Sequence, residues 1–191
     1  YVVFGGASLA GANISVSQVG GAVAGFRIAG IAGRDDGFGA DVSYAGDING
    51  DGLADLIVGS QNADPASGTD AGRSVVVFGK ADNTTVQYSD LEAGNGGFLI
   101  NGEGAGDYYG FSVSNAGDLN GDGFDDLVAT ARHGDSPMGR TYVIYGGAKY
   151  SSGYVATGTG TALDELVVGT AGADTLTGGG GVDRFSAGGG N

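Results

Sequence analysis

Two nine-residue segments hold most of the chemistry available to this chain. Asp47-Ile48-Asn49-Gly50-Asp51-Gly52-Leu53-Ala54-Asp55 and Asp118-Leu119-Asn120-Gly121-Asp122-Gly123-Phe124-Asp125-Asp126 both place oxygen-bearing side chains at positions 1, 3, 5 and 9. Alternate residues of a tightly curled loop can point at one centre. Glycine at position 6 permits the sharp turn that lets the carbonyl of position 7 reach the same centre. The expected donors are Asp47, Asn49, Asp51, Asp55 and the Leu53 carbonyl in one copy, and Asp118, Asn120, Asp122, Asp126 and the Phe124 carbonyl in the other. Three carboxylates held close together raise one another's pKa, which a cation offsets. Mixed sets of hard oxygens suit Ca2+, whereas Mg2+ tends to keep its waters.

Two other readings compete with a metal loop. A hairpin turn rich in Asp, Asn and Gly forms without metal and could account for one copy, but two gapless copies with the same donor spacing argue against coincidence. An EF-hand begins the same way and needs a Glu at position 12, where this chain has Val58 and Ala129. No catalytic set accompanies the loops, so this chain is not expected to be an enzyme. His133 is the sole imidazole, and beside Arg132 and Asp135 it reads as ordinary surface. Ser136 precedes Pro137 and lacks the strand-turn-helix setting of a nucleophile.

The loops sit inside longer repeats. Residues 36–60 and 107–131 superpose without a gap at an offset of 71 residues. An apolar run ending in aromatic-Gly recurs as YVVFGG at 1–6, SVVVFGK at 74–80 and TYVIYGG at 141–147. FRIAG at 26–30 has a looser echo in FLING at 98–102. A period of ~70 residues suits a four-stranded propeller blade with generous loops. Alternating strands are expected at 38–44 and 111–115, and short apolar ones at 56–58 and 127–129. Those at 75–78 and 142–145 have no polar face, so both of their faces need cover. No window shows a sustained helical period, and helix should be scarce.

Composition agrees. Of 191 residues 43 are Gly, and 19 of the 22 acidic residues are Asp, a type that favours turns over helices. The net charge of −14 argues against nucleic acid as a partner, because that needs a basic surface. With no Cys there is neither disulfide nor thiolate metal site. No apolar run approaches the ~20 residues of a membrane span. A Ser/Gly/Thr-rich stretch at 150–168 reads as a linker or outer strand. A nine-residue period follows, GTAGADTLT at 169–177 and GGGGVDRFS at 178–186, both fitting G-G-x-G-x-D-x-U-x. In a parallel β-roll of such repeats Gly172, Asp174, Gly181 and Asp183 would offer metal oxygens, while Leu176 and Phe185 point inward. The first residue is Tyr1, and a third copy stops at Asn191 one residue before its Asp, so the chain is expected to be cut from a longer one.

The aromatic-Gly strands and the G-D-x-N-G-D-G-x-x-D-L loops together resemble the FG-GAP repeats of integrin α-type β-propellers over about residues 1–150. The tail resembles the RTX (haemolysin-type) calcium-binding nonapeptide repeats of proteins exported by bacterial type I secretion. The expected fold is all-β, a partial propeller of about two to three four-stranded blades followed by a Gly/Asp-rich calcium β-roll. The segments would be end strands of a preceding blade at 1–30, a blade at 31–102, a second at 103–149, the linker at 150–168 and nonapeptides at 169–191. A closed seven-blade ring needs on the order of 490 residues, so further blades or neighbouring copies must complete the propeller. The resemblances imply Ca2+, and a secreted or cell-surface setting in a Gram-negative bacterium. There the module would have a structural, adhesive or assembly role toward a protein or carbohydrate ligand. The alternative is an accessory region of a secreted hydrolase of protease, lipase or phospholipase type.

Overall fold

The computed structural model describes residues 1–6, 9, 11–31, 35–134, 138–147 and 150, together with the backbone of 166–168 and 184–186. Regular structure among them is nearly all strand. In chain order it runs β1 (Val2–Val3), β2 (Gly25–Phe26), β3 (Ile28–Ala29), β4 (Asp41–Gly46), β5 (Asp55–Ser60), β6 (Arg73–Val77) and β7 (Val86–Gln87). There follow α1 (Tyr88–Glu92), β8 (Gly97–Asn101), β9 (Tyr109–Gly117), β10 (Asp126–Ala131), β11 (Arg140–Ile144), β12 (Leu166–Val168) and β13 (Arg184–Ser186). Apart from α1, a 3-10 turn lies at Val16–Gln18.

The two repeats and the strands that precede them make three sheets. Strands β4, β5, β6 and β8 form a four-stranded antiparallel sheet in that order, the full blade that the first repeat predicts. Strands β9, β10 and β11 form a three-stranded sheet of the same sense. Strands β1 and β2 match the outer pair of a blade. Val2 faces Phe26 and Val3 faces Gly25, just as Val76 faces Phe98 and Val77 faces Gly97 between β6 and β8. The match extends past the strand ends, where the Phe4 N–H donates to the Ala24 carbonyl at 3.0 Å and the Phe78 N–H to the Gly96 carbonyl at 2.9 Å.

Apolar burial fixes how the sheets stack. Ile48, Ile57 and Val76 on one face of the full blade share a core with Tyr109, Val113, Leu127 and Ala129 of the three-stranded sheet. On the other face Val58, Val75 and Val77 lie under Phe26, Val86, Tyr88 and Leu91. The β-branched run of β6 is therefore covered on both sides, as a strand without a polar face requires. Strand β11 differs from that expectation. Its residues alternate between half-buried and exposed, because one face lies on the full blade while Thr141 and Val143 face away from it. Polar contacts tie the two inner strands, the Val113 N–H donating to Asp41 Oδ2 at 2.8 Å. That bond satisfies a backbone donor on the open side of β9.

In the tail β12 and β13 pair in parallel, with Leu166 opposite Arg184, Val167 opposite Phe185 and Val168 opposite Ser186. The paired residues lie two nonapeptide lengths apart in sequence. The parallel sense is the one a roll of such repeats needs.

Candidate metal centres

Each Asp loop joins the first two strands of its sheet, β4 to β5 and β9 to β10. In the first loop Asp47 accepts hydrogen bonds from the Asp51 and Gly52 N–H groups at 3.0 and 2.9 Å. Asn49 Oδ1 also accepts from the Asp51 N–H at 3.0 Å, and its Nδ2 donates to Asp51 Oδ2 at 2.9 Å. Asp51 Oδ1 accepts from the Leu53 N–H at 2.8 Å. The second loop repeats this pattern bond for bond. Asp118 accepts from the Asp122 and Gly123 N–H groups at 3.1 and 2.9 Å, and from Gly121 as well at 2.7 Å. Asn120 bonds the Asp122 N–H and Asp122 Oδ2 at 3.0 and 2.9 Å, and Asp122 Oδ1 accepts from the Phe124 N–H at 3.0 Å. Position 6 is left-handed in both loops, with φ of +83° at Gly52 and +91° at Gly123, which explains the glycine there.

Position 9 closes each loop onto the sheet. Asp55 and Asp126 are wholly buried as the first residues of β5 and β10. Asp55 Oδ2 accepts from the Ile48 N–H at 2.9 Å and Oδ1 from the Gly79 N–H at 2.8 Å. Asp126 does the same with the Leu119 N–H at 2.8 Å and the Gly146 N–H at 2.9 Å. Burial pushes the Asp55 carboxyl up to about 6 despite the Gly79 and Ile48 bonds, and the Asp51 and Asp47 charges push the same way. A buried carboxylate raised in this way gains from any positive charge brought to the loop.

The ten residues predicted as donors are thus gathered by the fold into two loops. The expected convergence of carboxylates is not met in the same sense: among the described residues no three acidic or histidine side chains close on one point. Each carboxylate is instead tied to backbone N–H groups of its own loop, and Asp55 and Asp126 also to those of Gly79 and Gly146. The donor types fit a hard cation, because each nine-residue loop carries three carboxylates, one amide oxygen and the carbonyl of Leu53 or Phe124. Asp47, Asn49, Asp51, Asp55 and the Leu53 carbonyl would hold it in the first loop, with Asp118, Asn120, Asp122, Asp126 and the Phe124 carbonyl in the second. A calcium ion there would offset the gathered negative charge and cross-link the two ends of the loop. Gly172, Asp174, Gly181 and Asp183 lie outside the described residues.

Sequence reasoning missed why the aromatic-Gly element travels with the Asp loop. The glycine N–H of that element, Gly79 or Gly146, is the donor that fixes position 9. A Cβ on Gly79 would lie 2.6 Å from the Ala54 carbonyl oxygen, so only glycine lets the third strand approach the loop. Co-occurrence of the two motifs in both repeats was the available signal. His133 stacks edge-on against Tyr108, with ring centroids 5.2 Å apart, at the exposed end of the sheets. Tyr109 packs between them, where burial pushes its phenol up to about 12 against a hydrogen bond from Ser74.

Family comparison falls on these same residues. The FG-GAP repeat matches residues 38–77 and 109–161, spanning both loops, and the RTX calcium-binding nonapeptide repeat matches 159–191, spanning the parallel pair β12 and β13. No curated protein matches the chain. The RTX nonapeptide is a calcium-binding motif, so Ca2+ is the cofactor that these repeats carry. The two stacked sheets are propeller blades, and the chain carries FG-GAP repeats followed by an RTX calcium-binding nonapeptide repeat over these residues.

Proposed function

We propose that the chain is a calcium-stabilised module of a larger protein that works outside the cytosol, in a structural, adhesive or assembly role. The bond-for-bond repetition of one Asp loop in two blades supports this most directly. Turn chemistry alone can be satisfied by many side-chain arrangements, whereas a shared ligand restricts both loops to one. Extracellular sites need bind calcium at only ~10⁻⁴–10⁻³ M to be filled, and the RTX repeat is consistent with that setting. Repeats of these two kinds are typically non-catalytic. Among the described residues no helix is long and apolar enough to cross a membrane.

The same reading divides the chain into blade ends at 1–30, blades at 31–102 and 103–149, a connecting segment at 150–168 and nonapeptides at 169–191. A protein or carbohydrate ligand, and neighbouring copies or further blades completing the ring, are its partners. Binding energy is folding energy in such a system, so the chain stays loose at cytosolic calcium and rigidifies after type I export. The test is thermal melting of chelated protein against added calcium, for the wild type and for Asp51→Ala with Asp122→Ala. The wild type should melt higher with calcium and the double variant should lose most of that shift. A wild type indifferent to calcium would sink the proposal.

A further inference from the structure

Positions 7 and 8 of the second loop reach across to the first. Asp125 Oδ2 accepts a hydrogen bond from the Asp47 N–H at 3.0 Å. The Asp125 carboxylate packs on Gly46, where any side chain would overlap it. The Phe124 ring covers Gly50, coming within 2.5 Å of where a Cβ would stand. Beyond the second loop, the Gly147 N–H donates to the Ile48 carbonyl at 2.9 Å. Positions 1, 2 and 4 of the first loop are therefore held by residues within and just after the second.

Asp125 sits between two expected donors of the second loop, the Phe124 carbonyl and the Asp126 carboxylate. Fixing both neighbours fixes the peptide that aims Asp125, and ordering that segment is a conformational cost the first loop then no longer bears. The first loop has Ala54 at position 8, so it has no carboxylate to offer a neighbour in return. We infer that the two loops bind calcium cooperatively, with Asp125 carrying the coupling from the second loop to the first. The inference rests on the calcium reading given above. Asp125 is a positioning residue in this scheme, since it holds the backbone of Asp47 and is not itself a donor to the ion. Linkage makes the effect reciprocal: filling the first loop tightens the second by the same factor.

The two loops can be read separately by NMR titration of the whole chain with calcium, following the Gly52 and Gly123 amides that bond Asp47 and Asp118. Asp122→Ala removes a donor from an exposed side chain and leaves the buried Asp126 in place. It should raise the calcium midpoint at Gly52 about fivefold or more, the low end of typical couplings. With Asp125→Ala already present, the same substitution should change the Gly52 midpoint by no more than about twofold. Asp125→Asn keeps an acceptor oxygen and should keep the dependence on Asp122. A Gly52 midpoint that responds to calcium yet ignores Asp122→Ala overturns the coupling alone, as does Asp125→Asn behaving like the alanine variant. If neither glycine amide responds to calcium, the calcium reading of the loops fails and the coupling falls with it.

Discussion

The two Asp loops share their hydrogen bonds but not their surroundings, and the contrast separates what a loop does by itself from what a neighbouring blade adds. In the first loop Ile48 is 0% exposed and Asn49 is 4% exposed, because the next blade lies over them. At the matching place in the second loop Leu119 is 58% exposed and Asn120 is open to solvent. The difference continues down the sheets. Val76 is buried against the second blade, while its counterpart Val143 is 48% exposed and Tyr145, beyond it, is 51% exposed. Local bonding is thus independent of the neighbour, since both loops keep it. Desolvation of positions 2 and 3 comes from the neighbour, whereas position 9 is buried in both loops. The blade that covers the first loop also contributes Asp125 to it, and among the described residues nothing plays that part for the second.

The largest effect that would sharpen this comparison is calcium itself. At a hundredfold excess over Kd each loop gains about 2.7 kcal/mol, so filling both should raise the melting temperature by about 10 °C or more for a chain of this size. Differential scanning calorimetry of single variants, Asp51→Ala against Asp122→Ala, should show which loop contributes more. Next come Ile48→Ala and Leu119→Ala, the same truncation in a covered and an uncovered loop. Ile48→Ala should cost about 2–5 kcal/mol in urea unfolding, the usual range for a filled core site. Equal costs at the two positions would break the comparison.

The pH dependence of the buried seam should be smaller. The Tyr109 phenol is raised in the folded protein to about 12 from an ordinary 10.0, so folding holds its proton more tightly than the unfolded chain does. Its contribution is therefore complete below pH 10 and lost as pH climbs toward 12, by up to about 3 kcal/mol. Phe38 holds the matching place one repeat earlier and has nothing to titrate. Tyr109→Phe should accordingly flatten the difference in stability between pH 10 and pH 12 relative to the wild type. The smallest effect belongs to Leu119→Ala, which should stay within about 0.5 kcal/mol, as surface substitutions usually do. A larger loss there would mean that the second loop is covered in solution.

The two Asp loops, the strands and the nonapeptide period were legible because each depends on neighbours in sequence. Nine residues with Asp, Asn and Gly in set places form one loop in either blade, and strand periodicity follows from alternation or from unbroken apolar runs. Asp125 was not legible. It looked like one more acidic residue between two expected donors, and its value lies in meeting a backbone N–H 78 residues away. Gly79 and Gly146 were visible as part of a recurring motif, but their role as donors to Asp55 and Asp126 needed the third strand to be laid beside the loop. The apolar run of β11 misled in part. Lacking a polar face predicts cover on both sides, yet burial depends on what the rest of the fold brings there.

What the sequence determined alone is short-range: the pair of nine-residue loops, the hairpins they close, the blade-length repeat and the nonapeptide period. Their information is carried by dihedral preferences and by bonds spanning at most a few residues. Tertiary structure decided which loop is desolvated, which carboxylate crosses the seam and where the aromatic-Gly donors land. Those outcomes depend on the stacking of two twisted sheets, and only the packing of side chains from both of them sets that geometry.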